Sequence, residues 1–136
     1  MWKHCNLGRG TLALALLALL IVGGLASATF YDFSICQDTT MYGGFTSTVT
    51  GTHWLRAKLS GLGTMKAWVT DNTGQTTYIG PITARDGGCL TTTGSLTQGV
   101  SYRLYGQREH GNGNCGYAGI SSTEFGPCSG AGPGGE

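Results

Sequence analysis

His53–Asp71 reads HWLRAKLSGLGTMKAWVTD and divides at Gly61-Leu62-Gly63 into two amphipathic runs. In the first, Leu55, Ala57 and Leu59 alternate with Trp54, Arg56, Lys58 and Ser60. In the second, Met65, Ala67 and Val69 alternate with Lys66, Trp68 and Thr70. Period-two alternation of this length is the pattern of strands with one buried face and one wet face. Burying Leu55, Leu59 and Val69 is worth roughly 1.5–3 kcal/mol each. Turning the first strand over would carry Arg56 and Lys58 inward, where an unpaired cation is strongly unfavourable. The lysines therefore set the facing, and the indoles go with them. Read as a hairpin turning over residues 61–63, the stretch sets Arg56 opposite Trp68 and Lys58 opposite Lys66. Trp54, Arg56, Lys58, Lys66 and Trp68 then share one face of one sheet.

Outward from this stretch, the chain has 136 residues. Lys3, His4 and Arg9 precede an apolar run from Thr11 to Leu25, and Ala26-Ser27-Ala28 follows with the small residues of a cleavage site. This predicts a secretion signal peptide over 1–28. The apolar run is shorter than the roughly 20 residues of a spanning helix, so the membrane is met only during export, with a retained anchor as the alternative. Beyond the leader, Arg56, Lys58, Lys66, Arg85, Arg103 and Arg108 are balanced by seven acids. Such a balance gives no footing for a nucleic-acid partner. Removing Cys5 with the leader leaves Cys36, Cys89, Cys115 and Cys128, an even set that favours two disulfides in an exported chain. Of the three possible pairings we expect Cys36–Cys89 and Cys115–Cys128. A zinc site has no C-x2-C pair to stand on.

The rest alternates strand-like runs with turns: Phe45 to Thr50, then Asp71-Asn72-Thr73-Gly74, Gln75 to Thr83, Arg85-Asp86-Gly87-Gly88, Cys89 to Thr93, Ser101 to Gln107 and Tyr117 to Phe125. Turn signals recur every 8–12 residues or so, the spacing of an antiparallel sandwich or barrel. The expectation is one all-β, antiparallel β-sandwich domain over 29–128, stapled by two disulfides. The tail 129–136, SGAGPGGE, lacks the apolar surface to order itself. Three runs, Leu59-Ser60-Gly61, Ala67-Trp68-Val69-Thr70-Asp71-Asn72-Thr73-Gly74 and Leu96-Thr97-Gln98-Gly99-Val100-Ser101-Tyr102-Arg103-Leu104, resemble bacterial pre-peptidase C-terminal (PPC-type) β-sandwiches. That resemblance implies a jelly-roll-like accessory module with no catalytic residues.

No G-x-S-x-G or H-E-x-x-H motif accompanies His53 or His110, and the acids are scattered, so no catalytic residues are expected. His53 reads as a solvated or turn histidine. No cofactor is expected, and no metal, although the oxygen-rich segments Asp71-Asn72 and Asp32/Asp38 leave calcium open. The Trp/cation face suits an extracellular carbohydrate or a protein. This is the leading reading: a small secreted binding or adhesion module contacting its ligand through Trp54, Arg56, Lys58, Lys66 and Trp68. The loop EHGNGNCG, with His110, Asn112 and Asn114, is a second candidate. Closed by Cys115–Cys128, it would stand out as a constrained finger of a peptidase inhibitor or toxin. A structural cell-envelope protein is the third reading.

Overall fold

The computed structural model describes residues 27–128. The expected signal peptide, but for its last two residues, and the expected tail lie outside the described residues. Eight strands follow in order: β1 (Phe30–Ile35), β2 (Thr39–Thr46), β3 (Gly51–Leu59), β4 (Thr64–Asp71), β5 (Thr77–Arg85), β6 (Cys89–Leu96), β7 (Ser101–Glu109) and β8 (Gly116–Ser121). They form two four-stranded sheets, ordered β1-β8-β3-β6 and β2-β7-β4-β5. The pairs β1/β8, β2/β7, β3/β6 and β4/β5 are all antiparallel. A chain paired first strand to last and inward in this way is one long hairpin wound around a core. The result is a jelly roll, the form that the PPC-type resemblance implied.

The alternation in the central stretch holds residue by residue. Leu55, Ala57, Leu59, Met65, Ala67 and Val69 are fully buried, and they meet Ile35, Leu104 and Ile120 in one core. The hairpin does not hold. β3 lies in one sheet between β6 and β8, and β4 lies in the other between β5 and β7. Gly61-Leu62-Gly63 carries the chain across the sandwich, and Gly61 and Gly63 take φ of 130° and 115°, a region that favours glycine. Arg56 therefore faces Thr91 and Gly119 rather than Trp68, and Lys58 faces Cys89 and Tyr117 rather than Lys66. The physical reason is that two strands burying the same core show the same alternation whether they are neighbours or opposed across it.

The expected disulfide pairing is also corrected: the bonds are Cys36–Cys115 and Cys89–Cys128. The β1/β8 ladder ends at Ile35 opposite Gly116. One further step along it sets Cys36 against Cys115, so this bond continues the ladder covalently. Cys89, at the start of β6, ties down the segment after β8. Peptide mapping without reduction is expected to recover Cys36–Cys115 and Cys89–Cys128 peptides, and Cys36→Ser with Cys115→Ser is expected to lower the unfolding free energy by about 2–5 kcal/mol. A Cys36–Cys89 peptide would contradict this topology.

Candidate functional site

The outer face of β2-β7-β4-β5 is built by register. Tyr42 on β2 stands opposite Tyr105 on β7, which stands opposite Trp68 on β4. Neighbouring strands lie about 4.8 Å apart, which brings same-face aromatic rings into contact. The Tyr42 and Tyr105 ring centroids are 5.0 Å apart, and those of Tyr105 and Trp68 are 5.0 Å apart at an interplanar angle of 9°. Rings that parallel and that close are stacked on one another, so they stand up from the sheet and turn their edges to solvent. Cations close over the faces: Lys66 Nζ lies 5.1 Å from the Trp68 ring, and the Arg103 guanidinium carbon lies 4.5 Å from the Tyr42 ring. Arg103 Nη1 also donates to the Tyr105 hydroxyl at 3.2 Å, which favours its charged form. Thr64, Thr83, Arg85, Gln107 and Glu109 border the Lys66 end.

Trp54, Arg56 and Lys58 occupy the outer face of the opposite sheet, so the five expected ligand residues are not brought together. There the segment 122–128 crosses the sheet. Arg56 lies 4.6 Å from the centre of the Phe125 ring and donates to the Gly126 carbonyl, and Trp54 lines the same cleft beside Phe125 and Pro127. Lys58 remains exposed. Beside it the Tyr117 ring lies across Gly119. Burial pushes the Tyr117 phenol up to about 12, the charge and hydrogen bond of Asp32 add to this, and Arg56 opposes it.

The glycine-rich loop is tied down at the end of the sandwich, and the finger closed by Cys115–Cys128 is not formed. The Asn114 side chain donates to the carbonyls of Ser60 and Leu62 and accepts from Arg108 Nη2 and from the Asn112 amide. Arg108, 2% exposed, pairs with Asp38 at 3.0 Å. His110 is exposed at the loop's start with φ 56°. His53 is corrected too, from a solvated or turn histidine to a fully buried residue of β3: its Nδ1 lies 2.9 Å from the Gly51 carbonyl and its Nε2 3.1 Å from Ser47 Oγ. Ser47 is only 1% exposed, so this Ser–His pair is closed to any substrate and serves the packing around Thr29. The Asp71 carboxylate accepts from the Thr73 hydroxyl and the Thr73 and Gln75 amides, and these bonds, the Thr73 hydroxyl first, hold its pKa down. Among the described residues no three His, Cys, Asp or Glu side chains are grouped to hold a metal ion.

Sequence reasoning missed Tyr42, Tyr105 and Arg103 as members of a surface with Trp68. The outward placing of Arg103 and Tyr105 was legible in the alternation of β7; their meeting with Trp68 needed the β4/β7 pairing.

No family model matches the chain, and no curated protein does. Among solved structures it is similar to the pre-peptidase C-terminal domain of a collagenase from Bacillus anthracis, at 14% identity and TM-score 0.49, covering 68% of this chain and 87% of that one. It is also similar to the periplasmic lysozyme inhibitor PliG of Aeromonas hydrophila, at 14% identity and TM-score 0.41, covering 71% and 87%. A family 35 carbohydrate-binding module from Clostridium thermocellum matches at 12% identity and TM-score 0.35, covering 68% and 90%. At such identities the likeness is one of fold.

The Tyr117 environment has a consequence at high pH. In the unfolded chain a tyrosine ionises near 10, whereas in the fold Tyr117 holds its proton to about 12. Between these values the folded state binds more protons than the unfolded one, so stability falls as pH rises through this window. Urea unfolding at stepped pH is expected to show this loss, and Tyr117→Phe is expected to remove Tyr117's share of it while leaving the behaviour below about pH 10 unchanged.

Proposed function

We propose that this protein is a secreted, non-catalytic binding module that holds an extended acidic polysaccharide across the outer face of β2-β7-β4-β5. The observation that carries this is the row Tyr42–Tyr105–Trp68 with its two cations. Ring edges are the electropositive part of an aromatic side chain, and here the edges face outward. The faces are occupied by one another and by Lys66 and Arg103. Among the described residues the one ion pair is Arg108–Asp38, so neither Lys66 nor Arg103 is neutralised by a carboxylate within bonding distance. An open strip of positive edges and of cations that bond no carboxylate among the described residues suits a chain bearing carboxylates better than a neutral sugar needing a bare ring face. Two disulfides support an oxidising, extracellular setting, and the basic, apolar leader supports export.

Affinity electrophoresis through polygalacturonate, with dextran as the neutral control, tests this reading. Retardation is expected with the acidic polymer alone and is expected to weaken with salt. Trp68→Ala and Tyr105→Ala are each expected to weaken binding about tenfold or more, the equivalent of ~1.4 kcal/mol. Trp54→Ala, on the far sheet, is expected to bind as the wild type does. Equal retardation in dextran, or full binding by Trp68→Ala, would reject the proposal. Dependence on Asn112 and Asn114 instead would favour an inhibitor, and assembly beyond a dimer without any ligand would favour an envelope component.

A further inference from the structure

The sandwich has four edge strands, and they differ in what they offer another chain. β5 is broken by Pro81 and by irregular pairing with β4, both of which discourage a further strand. β1 carries the charge of Asp32 at its centre. β6 bears the segment anchored through Cys128, which lies against Thr91. Among the described residues, β2, Thr39–Thr46, has none of these protections. Its eight residues TTMYGGFT are uncharged and free of proline, and they run in unbroken register with β7. Met41 is 45% exposed and Tyr42 is 57% exposed.

β2 also holds a glycine that the described residues of the single chain do not explain. Glycine weakens a strand, and within one it often marks the close approach of another backbone. Gly43 has a local reason, because the Tyr31 ring fills the place of its side chain. Gly44 has none. Its backbone is not left-handed, and the nearest atom to a Cβ built there is the Tyr102 carbonyl oxygen at 3.9 Å. It leaves open space on the outer face, next to Arg103 and one step from Tyr42.

We propose that β2 pairs antiparallel with β2 of a second copy of this chain, about a two-fold axis at Gly43. In this register Tyr42 of each copy lies over Gly44 of the other and comes beside Arg103. On the opposite face Met41 meets Phe45, a favourable thioether–ring contact. Thr40 meets Thr46, and no charge opposes a like charge. The interface is isologous, and β5 is unsuited to extend it, so the assembly closes as a dimer. The two aromatic rows then lie on one continuous eight-stranded sheet. This inference stands apart from the polysaccharide reading, since either can fail alone.

Sedimentation velocity over a concentration series tests it. The wild type is expected to dimerise, and Thr40→Lys with Thr46→Lys, which sets lysine against lysine at both ends of the ladder, is expected to be monomeric. Mixing that variant with Thr40→Glu/Thr46→Glu is expected to restore a dimer of one copy of each. Neither position belongs to the aromatic row, so the lysine variant should still be retarded by polygalacturonate if the binding reading is right. Should the variants fold poorly, amide exchange of the wild type decides: residues 39–46 should slow with concentration while β5 does not. A monomer at every concentration to about 1 mM, a dimer unaffected by the lysines, no mixed dimer, or no slowing at 39–46 would overturn the proposal.

Discussion

One layer of apolar side chains, shared by the two sheets, governs the rest of the molecule. Leu55, Leu59 and Ile120 from one sheet close on Met65, Val69 and Leu104 from the other, all without solvent contact. A sheet that buries one face must present the other, so every outward side chain is placed by what its neighbours bury. The ends of the layer cannot be sealed by apolar groups alone, because the chain enters and leaves there with polar backbone. At one end Thr29, Ser47 and His53 satisfy one another, and at the other Arg108 Nη1 and Nη2 donate to Asp38 and Asn114, with Nε the one buried polar side-chain atom left without a partner among the described residues. Buried polar groups are tolerable only with such partners.

The winding of the chain gives the two outer faces different characters. Both disulfides belong to β1-β8-β3-β6. One prolongs the β1/β8 ladder, and the other draws the segment 122–128 across Trp54 and Arg56. The Trp54 face is thereby occupied by the protein's own chain. Among the described residues nothing comparable covers the outer face of β2-β7-β4-β5, and there three adjacent strands contribute one ring each to a row ending at the exposed Tyr42. An aromatic row of this kind stabilises the sheet, at about 0.5–1.5 kcal/mol per ring pair. It also leaves a surface rich in positive edges and cations.

By itself the sequence located β3 and β4 and the face that each buries, but it set a strand at 45–50, whereas β2 runs Thr39–Thr46 and the chain over 47–50 is irregular. The lysines and arginines of β3 and β4 could not go inward, so Leu55 to Val69 had to, and the turn at Asp71–Gly74 followed from residues that bond their own backbone. It also determined that the fold would be all-β with its cysteines paired. Only the tertiary structure decided which strands touch. Alternation repeats every two residues and carries no label for the neighbour, so β3 and β4 look alike whether hydrogen-bonded or opposed across a core. The choice was made by long-range pairing, β8 entering beside β3 and β7 beside β4. That choice separated Trp54 from Trp68, gave Trp68 its stack with Tyr105, and brought Cys36 to Cys115 across 79 residues.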